Sequence, residues 1–189
     1  AFARGMYVFP GGRVDDADAS QDLESVCDGL GDDAASAILG VRSGGLAYWV
    51  AAIRECFEEA GVLLADGPAP PVHEHADQRA KVHAGELSMV ELCRRRGATL
   101  LPGSMHYVSH WITPVGESRR FDTRFFLAPA PQDQVPVHDD SETVDSLWIS
   151  PAEALRRHGR RELAMIPPTI ANLEMIEHHA TVADACAAA

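Results

Sequence analysis

The segment from Leu46 to Gly61 leaves a folding chain little choice. On a helical wheel at roughly 100° per residue, Arg54, Glu55, Glu58 and Glu59 fall within an arc of about 140°, and Trp49, Ile53, Cys56, Phe57 and Ala60 fill the opposite side. The pattern predicts a helix buried along one face and acidic along the other, with Gly61 placed to cap its C-terminus. Carboxylates at i, i+3 and i+4 project side by side. Their repulsion is relieved either by water, as on most acidic helix faces, or by a cation seated among them. Oxygen ligands of this kind suit Mg²⁺ or Mn²⁺.

Upstream, residues 5 to 18 read GMYVFPGGRVDDAD, an apolar β-prone run that breaks at Pro10, Gly11 and Gly12. Paired glycines let the main chain turn tightly and approach a ligand, so that a carbonyl can face a metal ion or a phosphate. Together with RECFEEAGV at 54 to 62, this segment resembles the signature of the Nudix hydrolase family. The second half of that signature is complete: Arg54, Glu55, Cys56, Phe57, Glu58, Glu59, Ala60, Gly61 and Val62. The first half departs from it. Counted from Gly12, the early glutamate falls on Asp18, and the stretch from Asp18 to Arg54 is far longer than the family's usual spacing. Such a split box is similar to that of the peroxisomal coenzyme A diphosphatases, and segments 111 to 131, 148 to 155 and 165 to 176 support the same subgroup.

The resemblance implies an α/β fold, a Nudix α/β/α sandwich with a mixed central sheet and helical insertions. It implies Glu58 and Glu59 as principal metal ligands, Glu55 as a further ligand or base, and the Gly11 carbonyl as a main-chain ligand. Arg54 would orient one of the carboxylates. Gly12 lies where the main chain can approach substrate. The general base in the family comes either from the box or from a later loop; here residues 137 to 148 hold Asp139, Asp140, Glu142 and Asp145, with Glu142 the candidate and a solvated acidic turn the alternative. Arg120, Asp122 and Arg124 alternate on one face of an expected strand, where the arginines either hold a substrate phosphate or pair with Asp122.

The implied reaction is metal-dependent hydrolysis of a phosphoanhydride in a nucleoside-diphosphate-linked small molecule. Coenzyme A or an acyl-coenzyme A is the favoured substrate, partly because Gly5 and the Phe9 to Gly12 run look like the end of the coenzyme A signature. That match is partial, since the arginine expected earlier falls on Ala1. Nucleotide sugars and dinucleotides are the alternative substrates, and a noncatalytic nucleotide-binding sensor is the alternative role. A homodimer is common among such relatives.

Composition bounds these readings. With 189 residues, 46% hydrophobic, the chain suits one domain over 1 to 189, with helical insertions at about 20 to 44 and 67 to 104. A Nudix sheet has a strand ahead of the glycine turn, so the first strand is expected to lie before Ala1. The formal charge of -12 disfavours nonspecific binding of a nucleic-acid polymer. Four cysteines without CxxC spacing suggest reduced thiols. No apolar run approaches the roughly 20 residues of a membrane span and no signal peptide opens these residues, so a cytoplasmic location is expected. His73 with His75, and His178 with His179, lack zincin spacing.

Strands are expected at 6 to 9, 62 to 64 and 144 to 149, and a hairpin from 105 to 113 with 119 to 128. Helices are expected at 73 to 84, 87 to 96, from Ser150 to about Arg157, and from Pro168 to about His179. Residues 20 to 41 read as one or two short helices, a spacer or lid, and the ADACAAA tail as frayed.

Overall fold

The long insert between the glycine turn and the acidic helix folds back and supports that helix, instead of looping away as a spacer or lid. The computed structural model describes residues 5–68, 72–134 and 147–189. Two 3-10 turns, Asp16–Ala19 and Leu23–Val26, lead to helix α1 (Asp32–Leu39) and then to helix α2 (Leu46–Ala60). Leu23, Val26 and Ala35 of the insert are buried, as are Leu46, Trp49, Val50, Ile53 and Phe57 of α2. Asp32 ties the two segments together. Its carboxylate accepts from the main-chain N–H of Leu46 at 3.0 Å and of Gly44 at 2.9 Å, and Ser36 Oγ accepts from Gly45 N–H at 2.9 Å. An anion at the first turn satisfies donors that have no partner within the helix.

These bonds hold the Asp32 carboxyl below the usual carboxylate range, the Leu46 bond first and the Gly44 bond second. A folded-state pKa that is depressed adds stability above the unfolded value and loses it as pH falls through the folded value. Asp32→Ala is therefore expected to destabilise by about 1–2 kcal/mol at neutral pH. The difference from wild type should shrink in acid. Urea unfolding at both pH values checks this, and equal stability at neutral pH would contradict the capping role.

The chain divides into two compact units, each drawn from separate stretches of sequence. One comprises Pro10–Met105 and Ala130–Ser146. Beyond α2 it contains strand β1 (Ala65–Asp66), helix α3 (Val72–His83), helix α4 (Met89–Arg96) and strand β2 (Thr99–Leu100). β1 pairs antiparallel with β2, and Cys27 forms a parallel bridge to Leu100. The α3–α4 hairpin forms where two helices are expected, and its Val82, Leu87, Val90 and Leu92 add to the core beside α2. Ser88 starts α4 with a capping box, its Oγ accepting from Glu91 N–H while the Glu91 carboxylate accepts from Ser88 N–H.

The other unit comprises Ala1–Phe9, His106–Pro129 and Leu147–Ala189. Strands β3 (His106–Ile112) and β4 (Asp122–Leu127) form the expected antiparallel hairpin. Helices α5 (Pro151–Gly159), α6 (Pro167–Ile176) and α7 (Val182–Ala188) follow. Ser150 accepts from Glu153 N–H, which starts α5 where the sequence predicts. Ala154, Leu163, Met165 and Leu173 form the core, with Tyr7, Ile149, Leu155 and Ile170 packed on it.

Four expectations differ. The strand at 6 to 9 is one parallel bridge, Tyr7 to Met165. Residues 62 to 64 form no strand, because the Gln134 side chain takes the place of a neighbouring strand: it accepts from Leu63 N–H at 2.8 Å and donates to Leu63 O at 2.9 Å. Of the strand at 144 to 149, residues 147–149 carry no ladder and the rest lies outside the described residues. The tail is helical, since Thr181 Oγ1 accepts from Asp184 N–H and starts α7. Among the described residues no helix is long and apolar enough to cross a membrane.

Candidate active site

The centre of the site is the Arg54 side chain, and on the acidic face of α2 Arg54 and Glu58 are buried while Glu55 and Glu59 are half-buried. Arg54 is 8% exposed and Glu58 8%. Arg54 Nε donates to Asp18 Oδ1 at 3.0 Å, and Nη2 donates to Asp18 Oδ2 at 3.0 Å and to the Arg13 carbonyl at 2.7 Å. Nη1 reaches Glu58 Oε1 at 3.0 Å and Glu55 Oε1 at 2.9 Å. Asp15 Oδ2 lies 3.7 Å from Nη2.

Asp18 is 1% exposed, and the rest of its bonding capacity is met by Asp15 N–H at 2.9 Å. A fork of guanidinium donors fits a carboxylate bidentately, which a lysine would not reproduce. Burial alone would lower the Arg54 pKa; the bonds and charge of Asp18, then of Glu58 and Glu55, more than reverse this and hold it above its ordinary value. Asp18 and Arg54 stand 36 positions apart, so the two halves of the split box meet through this pair.

Glu55 packs over the glycine turn. A Cβ on Gly12 would sit 2.2 Å from Glu55 Oε1, so only glycine admits the carboxylate in this position. Burial raises the Glu55 pKa; Arg54 opposes it, and Glu58 and Asp18 add to the rise. Glu59 approaches the same turn, its Oε2 accepting from Gly11 N–H at 3.3 Å. The structure thus joins Gly11, Gly12, Arg54, Glu55, Glu58 and Glu59, and at Gly11 the bond it shows is through the N–H.

The last turn of α2 is held by α3. Gly61 adopts a left-handed conformation (φ 69°) and its N–H donates to Phe57 O at 3.0 Å, as a C-terminal cap. The Gly61 carbonyl can only accept, so His75 Nε2 carries the proton of their 2.9 Å bond. Burial, with Arg96 and Arg79, outweighs that bond and holds the His75 pKa below its usual value. Phe57 packs edge-on to His75 at 5.1 Å between ring centroids and lies under Arg96 at 5.4 Å. Cys56 is pushed up to about 11 by burial and then by Glu59, which makes its thiol a poor nucleophile at neutral pH.

Two residues in contact with the box are given no partner from the sequence alone. Asp18 is counted there as the counterpart of the early glutamate but given no bond; a buried acid pairing with the box arginine is visible only once the insert folds. His83, whose Nδ1 lies 3.4 Å from Glu58 Oε2, could have been found from the i, i+4 series His75, Arg79, His83.

Arg120 and Arg124 belong to the hairpin unit. Arg124 Nη1 donates to Asp122 Oδ1 at 2.9 Å, the ion-pair alternative, and Arg120 Nε donates to the Thr113 carbonyl at 3.0 Å. Glu142, with Asp139, Asp140 and Asp145, lies outside the described residues. Among the described residues no three His, Cys, Asp or Glu side chains converge as a ready-made metal cluster.

Comparison with known proteins identifies the family. A family model described as the NUDT19 Nudix domain matches residues 1–176. The chain is 31% identical over 222 residues to acyl-coenzyme A diphosphatase NUDT19 of Homo sapiens, covering 97% of this chain and 59% of that protein. It is 34% identical over 149 residues to the Gallus gallus protein of the same name, covering 66% and 39%. The chain therefore spans between 39% and 59% of the length of these two relatives. A crystal structure of a Nudix hydrolase from Alicyclobacillus acidocaldarius is similar, with a TM-score of 0.76, 26% identity, and coverage of 97% of this chain and 81% of that one. With the split box closed by Asp18 and Arg54 and the family model spanning both halves, the chain belongs to the Nudix hydrolase family.

Proposed function

We propose that this domain hydrolyses a phosphoanhydride in a nucleoside-diphosphate-linked small molecule with the help of Mg²⁺ or Mn²⁺, and that coenzyme A or an acyl-coenzyme A is the substrate. The Arg54 bridge is the observation that carries the reading. A helix used only for packing or for passive binding has no need to bury an arginine that holds Glu55 and Glu58 side by side. The name acyl-coenzyme A diphosphatase, borne by the human and chicken relatives, supports the substrate.

The donor set suits a hard divalent ion: Glu55, Glu58 and Glu59 are all oxygen donors on one helix. Burial chiefly, with Glu58 and Asp18 adding to it against Arg54, holds the Glu55 pKa up, and a bound cation would offset that rise. When bound, such an ion neutralises phosphate oxygens and makes a coordinated water nucleophilic near neutral pH. The chain supplies the order. Arg54 fixes Glu55 and Glu58, the bare Gly12 main chain gives Glu55 its place, and Gly11 anchors Glu59. Water adds to phosphorus as the bridging P–O bond breaks, and its proton passes to a carboxylate, for which Glu142 and Glu55 are our candidates. The reduced thiols suit a cytoplasmic setting, and a homodimer is our reading of the assembly.

Arg120, which is exposed and not committed to Asp122, leads Arg124 as our candidate for the 3'-phosphate of coenzyme A. A charge-assisted contact of about 1.5–3 kcal/mol gives roughly 10- to 150-fold selectivity. With Mg²⁺ present, coenzyme A should be cleaved better than its dephospho form by that factor, and Arg120→Ala should erase most of the difference. A panel that adds acyl-coenzyme A, a nucleotide sugar and a dinucleotide measures the choice. Preference for either of the last two would replace the substrate, and no turnover of any would favour a binding role.

A further inference from the structure

Helix α3 carries His75, Arg79 and His83 four residues apart, on one stripe, and all three reach the end of α2. His75 bonds the Gly61 carbonyl at 2.9 Å. Arg79 Nε donates to the Glu58 main-chain carbonyl at 2.8 Å, and His83 Nδ1 lies 3.4 Å from Glu58 Oε2. Glu58 is thus met twice by the same helix, by a hydrogen bond at its main chain and by His83 at ion-pair distance from its carboxylate, while Arg54 bonds the other carboxylate oxygen.

We propose that His83 is a positioning residue for the Glu58 carboxylate, so that the second helical insertion serves to pre-set a metal-binding side chain; this rests on the metal-dependent reading above. A glutamate has three side-chain torsions, and fixing them before the ion arrives removes an entropic cost from binding. With one oxygen on Arg54 alone the carboxylate can still swing about that contact. A partner close to the second oxygen narrows that freedom. The two contacts come from different elements, α2 itself and α3, and the Arg79 bond sets the distance between those elements at the same residue. His83 is reachable from solvent, its side chain 41% exposed, at a cleft of about 190 Å³ that Asp15, Asp18, Arg54 and Glu58 also line. The helix cores close without it: Val82 and Leu87 on either side of the turn are buried, and His83 is not among the core residues.

The test is Mn²⁺ binding by calorimetry on the full chain as wild type, His83→Ala and His83→Asn, with thermal melts and activity. Partners of this kind contribute about 10- to 100-fold to metal affinity, and the partly exposed 3.4 Å contact places the expected loss in His83→Ala near about 10-fold. The metal concentration for half-maximal activity should rise in step, while KM for coenzyme A at saturating metal and the melting temperature stay as in wild type. Asparagine places an amide nitrogen close to the Nδ1 position and should restore most of the affinity. Unchanged Mn²⁺ binding in His83→Ala overturns the proposal, as does a loss that follows the melting temperature and is not rescued by asparagine. A wild-type protein that binds no Mn²⁺ overturns the metal reading itself, and this proposal with it.

Discussion

Glu58→Gln is expected to lower turnover by at least about 100-fold under saturating Mg²⁺, the scale seen when charge aimed at a reacting phosphate is lost. The substitution keeps the size of the side chain and removes its charge. Arg54 loses one of its partners but keeps the bidentate Asp18 pair and Glu55, so the guanidinium stays compensated. The melting temperature should therefore stay near that of wild type. Glu59→Gln tests the same assignment from the other side of the turn, where the carboxylate is held by Gly11 N–H. An amide oxygen there can still accept that bond, so the loss should again appear in turnover with the fold intact. The assignment of these two carboxylates to a metal site fails if both variants match wild type at saturating Mg²⁺.

How much of this was legible in the sequence depends on the range of the interaction. The acidic helix is read from its own residues, and it forms over Leu46–Ala60 with Gly61 left-handed, because periodicity and a glycine cap are local signals. The α3–α4 hairpin, the β3–β4 hairpin and the start of α5 follow for the same reason, each marked by spacing or by a capping side chain close in sequence. The expected strand at 62 to 64 is lost to Gln134, a residue 71 positions away whose amide imitates a neighbouring strand, and nothing near Leu63 announces that. The insert reads as a spacer or lid because its ties to α2 come from ordinary-looking polar side chains: Asp32 and Ser36 resemble any residues of a short helix until Gly44, Gly45 and Leu46 are seen to donate to them. In the site, residue types and spacing placed the glutamates. The bonds that fix them come from Asp18 and from α3, both across the inserts. The i, i+4 series His75, Arg79, His83 is readable in the sequence, but what it faces is set by the packing of α3 on α2.

Arg54→Met should cost more stability than any other single change in the box, about 3–5 kcal/mol, because it strands a buried carboxylate with no countercharge. Asp18 is 1% exposed, and without the guanidinium its remaining bond is to Asp15 N–H alone. Glu55 and Glu58, now unshielded from each other, add repulsion to that cost. Asp18→Asn is milder. It leaves Arg54 facing Glu55 and Glu58, retains an oxygen for the guanidinium, and should cost about 1–3 kcal/mol. Asp18→Glu restores the residue the Nudix signature carries at this position, but the added methylene shifts the carboxylate out of its bidentate fit to the Arg54 guanidinium, and about 1–3 kcal/mol of loss is expected. The ordering, Arg54→Met worst and the two Asp18 variants alike, distinguishes a charge network from simple packing. Asp18→Leu, alone and together with Arg54→Met, completes the cycle. Removing both members of the pair should recover part of the loss, since an apolar pair often replaces a buried ion pair at little cost. It should not recover activity, because nothing then holds Glu55 and Glu58 together. Denaturant unfolding of the five variants gives the energies, and turnover of each gives the function. Wild-type stability in Arg54→Met would show that the Asp18 pair does not support the fold.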